Sequence, residues 1–201
     1  FTIDSGPGAF TTPNLCTTSG GSGSCSTTLL SSTPGTTVVS AHTTLVVAGE
    51  TLHRDTDGAG SNSGPATKLW ADAQVATSVR TAVDADVTNQ TVPAGAVVHD
   101  EAVVDRAAGT PAAVAAPAGS VDFTLYDNGS CSGNVVAFDA GEPLTSGKAT
   151  SAQFTVAAGT FSYRARYNGQ AGVYPPHDAP CEPFTGQPQV GRIVVRKVTD
   201  P

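Results

Sequence analysis

The sequence predicts an all-β fold, on three observations. Apolar side chains recur with a period of two: Phe161, Tyr163, Ala165 and Tyr167 alternate with Ser162, Arg164 and Arg166, the pattern of a strand with one face buried and the other wet. Glycine (22) and proline (14) are spread along 201 residues without sustained helical periodicity, which calls for many turns and argues against a helical bundle. Charged residues make up 13% of the chain, about half the usual ~25%. Thr, Ser, Asn and Gly must therefore carry the surface, as they do in secreted β-proteins.

Taken in order, FTIDSGPGAF gives a short strand and a Gly-Pro-Gly turn. Thr27 to Leu30 follow, then a turn at Thr33 to Gly35 and a strand with Val38, Ser40 and Val39, Ala41 on opposite faces, continued by Leu45 to Val47. His53 to Lys68 reads as a long polar loop, and Trp70, the only tryptophan, as a cap on the first domain's core or a hinge residue. From Val75 the pattern changes, with Val75, Val79 and Val83 joined by Thr77 and Thr81 on one face of a long strand. Residues 97–104, 120–128, 134–140 and 149–156 supply further strands around an Ala/Pro-rich connector from Ala107 to Ala118. Strands at this turn-separated spacing make a sandwich. Val121, Phe123, Leu125 and Ala152, Phe154, Val156 present apolar faces to match the aromatic row. The predicted domains are 1–74 and 75–190, with 191–201 a terminal strand or linker.

Four cysteines in a low-charge chain favour two disulfides, and an extracellular or cell-surface location, over metal ligation. Three pairings exist; closeness in sequence favours Cys16 with Cys25 and Cys131 with Cys181. No short Cys-x-x-Cys spacing suggests zinc. A net charge of −7 opposes nucleic acid and anionic membranes. No apolar run is long enough to insert in a bilayer, and nothing resembles a signal peptide. The absence of methionine leads us to expect a processed or excised piece.

The segments VVHDEAVV (Val97 to Val104), GSVDFTLYDNGSCSG (Gly119 to Gly133) and GTFSYRARYNG with the later CEP resemble the bacterial immunoglobulin-like repeats of large secreted and surface adhesin-type proteins. The stretch from GSCSTTL to SSTPGTTVVSA resembles the closing strands of invasin-type domains. The resemblance implies two immunoglobulin-like β-sandwich domains in tandem, the first incomplete and leaving an unpaired sheet edge. It places Tyr163 where such sandwiches keep a corner tyrosine that bonds to upstream backbone. GRIVVRKVTDP resembles the first strand of a pilin-like domain, in which a lysine forms an isopeptide bond with an asparagine. Lys197 is the matching residue, but the rest of that domain is not here to complete the bond.

Several clusters invite chemistry. Asp55, Asp57 and Asn62 surround a glycine turn and supply the hard oxygens calcium prefers, although the spacing lacks a downstream bidentate Glu and suits a solvated loop equally. His99, Asp100 and Glu101 set a base beside carboxylates, yet strand neighbours point to opposite faces. No G-x-S-x-G motif or free thiol accompanies them. Their role is structural and the protein is not an enzyme. His42, His53 and His177 look scattered. The aromatic row reads as core rather than a sugar platform, which leaves Tyr126, Tyr167, Tyr174 and Trp70 as the candidates for exposed aromatics, and Asn89 and Asn128 head glycosylation-type triplets.

The expected function is that of a non-catalytic structural module of an adhesin, stalk or filament, whose partners are its own copies or neighbouring repeats. Ile193, Val194 and Val195 are the segment expected to donate a strand head-to-tail to the next copy. The alternatives are a module binding a glycan or host protein, or an accessory domain of a secreted enzyme.

Overall fold

The structure, a computed structural model, describes residues 1–18, 21, 23–191 and 193–197. It is all-β, with no helix among the described residues, and divides into two compact units.

The first unit comprises Phe1–Gln74, Asp105–Pro117 and Gln170–Pro175. Its strands are β1 (Thr2–Ser5), β2 (Ala9–Phe10), β3 (Leu29–Leu30), β4 (Gly35–Ser40), β5 (His42–Val47), β6 (Glu50–Asp55) and β7 (Ala66–Trp70). They form a three-stranded sheet, β1-β4-β7, and two ribbons, β2-β3 and β5-β6. The β5-β6 hairpin corrects the expected loop from His53, because His53 to Asp55 are strand residues paired with His42 to Thr44. Ala48 and Gly49 both take positive φ, 53° and 86°. That is the two-residue turn whose twist suits a hairpin, and an alanine in its first position hid it.

This unit has a thin interior. Its buried residues, among those described, are Thr37, Ala73, Pro117 and Tyr174. Trp70 works at this point: its indole N–H donates to Thr37 Oγ1 at 2.8 Å, the Thr37 hydroxyl donates to the Pro7 carbonyl, and the Lys68 ammonium lies 5.3 Å from the ring centroid. The Ala/Pro-rich connector packs into the same unit. The Thr110 hydroxyl donates to Asp72 O at 2.9 Å and accepts from Asp72 N–H at 3.1 Å. Tyr174, expected to be open, is buried, and its hydroxyl donates to Ala115 O at 2.7 Å.

The second unit comprises Val75–Val104, Ala118–Gly169 and Pro176–Pro201. Its strands are β8 (Ala73–Thr81, divided from the first unit at Gln74), β9 (Thr91–Pro93), β10 (Val97–Arg106), β11 (Ser120–Tyr126), β12 (Val135–Pro143), β13 (Lys148–Thr150), β14 (Phe154–Thr155), β15 (Gly159–Tyr167), β16 (His177–Asp178) and β17 (Glu182–Gln187). One sheet sets β8, β13 and β14 around β10; the other runs β12-β11-β15-β17-β9, with β16 beside β15. β17 is antiparallel to β15 and parallel to β9. The arrangement is sandwich-like.

Period-two alternation builds the interior. Val98, Asp100, Ala102 and Val104 of β10, Val121, Phe123 and Leu125 of β11, and Phe161, Tyr163, Ala165 and Tyr167 of β15 are all buried. Phe161 lies edge-on to Phe154 at 5.3 Å and stacks on Phe184 at 5.7 Å, and Tyr163 stacks on Phe184 at 5.9 Å. Ring pairs of this kind add to the burial of apolar area. Next to Thr185 on β17, position 186 must be glycine, because an added Cβ would stand 1.8 Å from Ala157 O.

Four expectations are corrected in this unit. Val83 is 85% exposed, because β8 ends at Thr81 and Asp84, with φ 60°, turns the chain. Ala152 is exposed because Ser151 breaks the ladder between β13 and β14: the Ser151 hydroxyl accepts from Asp100 N–H, and Ser151 N–H donates to Asp100 O, each at 2.9 Å. Tyr167 is fully buried rather than open. It is also Tyr167, and not Tyr163, whose hydroxyl reaches upstream backbone, donating to Ala118 O at 2.7 Å. Ile193 to Val195, expected to have no partner within their own chain, are irregular and exposed, Ile193 by 89%. Arg192 and Val198, at the ends of that segment, lie outside the described residues.

Candidate functional site

The side chains that combine unusual chemistry with a fixed setting gather where β17 begins. Cys181 immediately precedes it and is bonded to Cys131, with Cα atoms 5.7 Å apart and a sequence separation of 50. Cys131 takes φ 50° and its N–H donates to Ser162 Oγ at 2.9 Å, so the loop after β11 is held to β15 as well as to β17. Asn128 spends its side chain inside that loop, Oδ1 accepting from Ser130 N–H at 2.9 Å. The other bridge, Cys16 to Cys25, closes a short loop in the first unit, with Cα atoms 6.0 Å apart.

One residue beyond Cys181, the alternation of β17 turns Glu182 inward with Phe184. Asp100 takes the inward place between Val98 and Ala102 on β10 in the other sheet. Asp100 is 0% exposed and Glu182 6%. Both Asp100 oxygens and Glu182 Oε2 are buried without a well-formed hydrogen bond; the Glu101 N–H bears on Asp100 and the Thr77 hydroxyl on Glu182. Burial is the largest influence and pushes the Asp100 carboxyl well above the usual range, with the neighbouring charge of Glu182 acting in the same direction. Glu182 is raised too, again chiefly by burial. Burial also pushes the Tyr163 hydroxyl up. An enclosed carboxyl pair of this kind can hold and exchange a proton, but Asp100 cannot meet a substrate.

The outward residues beside Asp100 are engaged elsewhere. Glu101 pairs with Arg80 at 3.1 Å and with Lys148 at 3.2 Å, while His99 lies 3.8 Å from Asp84. The expected opposition of His99 and Asp100 across the strand therefore appears in their partners. What the sequence reading missed is Glu182. Its signal was an acidic residue two before Phe184, on the face that alternation turns inward.

The structure gives the three candidate calcium ligands separate tasks. Asp55 faces His42, Oδ1 to Nδ1 at 3.1 Å. Asp57 Oδ1 accepts from Ala59 N–H and from Asn62 Nδ2, both at 2.9 Å, and these bonds lower its carboxyl below the usual range. Asn62 thus presents Asp57 with its amide N–H. His42 and His53, scattered in sequence, stack across the β5-β6 ribbon at 6.2 Å. The first unit has a cleft of about 570 Å³ lined by Phe10, Val39, Lys68 and Trp70, and another of about 940 Å³ lined by His42, Arg54, Asp55 and Asn62.

Among the described residues no helix is long and apolar enough to cross a membrane, and the two disulfides point to an oxidising, extracellular setting. Compared with family models, curated proteins and solved structures, the chain has no match.

Proposed function

We propose that this protein is a non-catalytic extracellular structural module, a spacer of an adhesin, stalk or filament built from immunoglobulin-like sandwiches. The observation that carries this reading is the parallel pairing of β9 with β17 in the second unit, Thr91 to Pro93 against Thr185 to Gln187. Tension along the chain draws an early strand and a late strand in opposite directions. Parallel strands drawn that way slide, and the hydrogen bonds between them share the load instead of opening one at a time. The seam is extended by Asn89 N–H to Pro183 O at 2.7 Å, Thr185 N–H to Gln90 O at 2.9 Å and Ala94 N–H to Gln187 O at 2.8 Å. The disulfide from Cys131 to Cys181 adds a covalent limit to extension.

Strand order supports the immunoglobulin-like reading of this unit. β8, β10 and β13/β14 take the places of strands A, B and E; β12, β11, β15 and β17 take those of C′, C, F and G, with β9 parallel to the last. Pulled between its ends, the second unit is expected to rupture in one cooperative event. Gradual yielding at low force refutes the spacer role.

Head-to-tail assembly by strand donation belongs to the same proposal. Ile193 to Val195 are β-branched and exposed, and β5 presents Leu45, Val46 and Val47 uncovered on an isolated ribbon. Light scattering over a concentration series is expected to show the mass of the full chain rising, and that of a variant lacking residues 190–201 staying constant. A full chain that is monomeric throughout removes this part of the proposal.

A further inference from the structure

Two acidic side chains from opposing sheets meet in an interior whose apolar part includes Val79, Val98, Leu125, Phe161, Tyr163 and Phe184, with the buried Ser151 hydroxyl on Asp100 N–H. An ionised carboxylate only accepts hydrogen bonds. Two of them, enclosed together, repel and are short of donors, a state that burial penalises heavily. One proton changes the account: a carboxylic acid donates to the neighbouring carboxylate, and a single charge is spread over the pair. We propose that Asp100 and Glu182 share one proton, Asp100 as donor and Glu182 as acceptor, and that this proton fastens β10 to β17 across the core, so that the second unit loosens as the pH rises.

The surroundings support a proton in this role. The charges that bear on Asp100 are Glu182 and Glu101, both acidic, and Asp86 bears on Glu182. Thr77 of β8 lies beside Glu182, and Tyr163 of β15 is within the influence of Asp100 and Asp139. The nearby cations Arg80 and Lys148 are paired with Glu101, on the outward side of β10. Cys181 holds the start of β17 through its disulfide, so loss of the proton loosens the strand without freeing it.

The sign follows from the raised values. In the unfolded chain both carboxyls titrate near ~4; in the folded chain both are raised. Below the unfolded value both states hold the protons, and the fastening is fully present. As the pH climbs from there through the folded values, the unfolded chain releases protons that the folded chain retains, and stability falls.

The test is urea denaturation of the full chain from pH 4 to pH 10. The midpoint of the second unit is expected to fall across that range, and Asp100→Asn to remove most of the fall. Glu101→Gln, a change on the outward face, is expected to leave it in place. Because Asp100→Asn could fail to fold, carboxyl carbon NMR of the unaltered protein provides a second reading. A coupled two-step titration with one step far above the normal range supports the shared proton; two ordinary carboxyl titrations overturn it. A midpoint that falls equally in the wild type and in Asp100→Asn also overturns it.

Discussion

Removal of the Cys131 to Cys181 bridge, by reductant or by replacing both cysteines with alanine, is expected to produce the larger of two stability losses. The bridge closes a 50-residue separation, the other only 9. Chain entropy gives about 4 kcal/mol for the first and between about 2 and 3 for the second. The difference is sharpened by where the bridges lie: Cys131 is buried against β15, whereas Cys16 and Cys25 are exposed. Two-step thermal melts of the full chain, with each cysteine pair replaced in turn, check this. A second unit whose midpoint is indifferent to loss of Cys131 and Cys181 contradicts the role given to the bridge.

Phe184→Ala is expected to cost the second unit about 3–5 kcal/mol, the range for truncating a buried aromatic. Phe184 is 1% exposed and lies between Phe161 and Tyr163, so the cavity left behind has rings on both sides that cannot close over it. Phe138→Ala is the internal comparison. It is 58% exposed on β12, and its truncation should fall within about 0.5 kcal/mol. Urea midpoints of the two variants give the result, and equal losses would show that the aromatic row is not the core.

The legible part of the fold was the part where sequence alternation and burial coincide. On β10, β11 and β15 every second residue faces an apolar interior, and period two is visible without knowledge of the partners. The β5-β6 hairpin was hidden because all of β5 is exposed and its turn begins with Ala48 in a conformation usually given to glycine or asparagine. The roles of Tyr167 and Tyr174 were hidden for another reason: their acceptors are carbonyls of Ala118 and Ala115, and a backbone atom carries no mark in a sequence.

The candidate site was half visible. Cysteine spacing pointed to the partner of Cys181, but Asp100 and Glu182 are 82 positions apart on opposing sheets. Only the fold brings them together. The candidate calcium loop is the reverse case: Asp55, Asp57 and Asn62 are neighbours in sequence, yet Asp55 faces His42 while Asp57 and Asn62 bond to each other.

Single-molecule pulling on Ala94→Pro beside the unaltered chain tests the spacer role most directly. Proline lacks the N–H that Ala94 donates to Gln187 O at 2.8 Å, so the change removes one bond from the β9-β17 seam. The seam account predicts that the second unit of the unaltered chain breaks in a single event and that Ala94→Pro lowers its rupture force, with residues 131–181 contributing no extension until reductant is added. An unchanged rupture force in Ala94→Pro, or extension of that covalently closed segment before reduction, would contradict it.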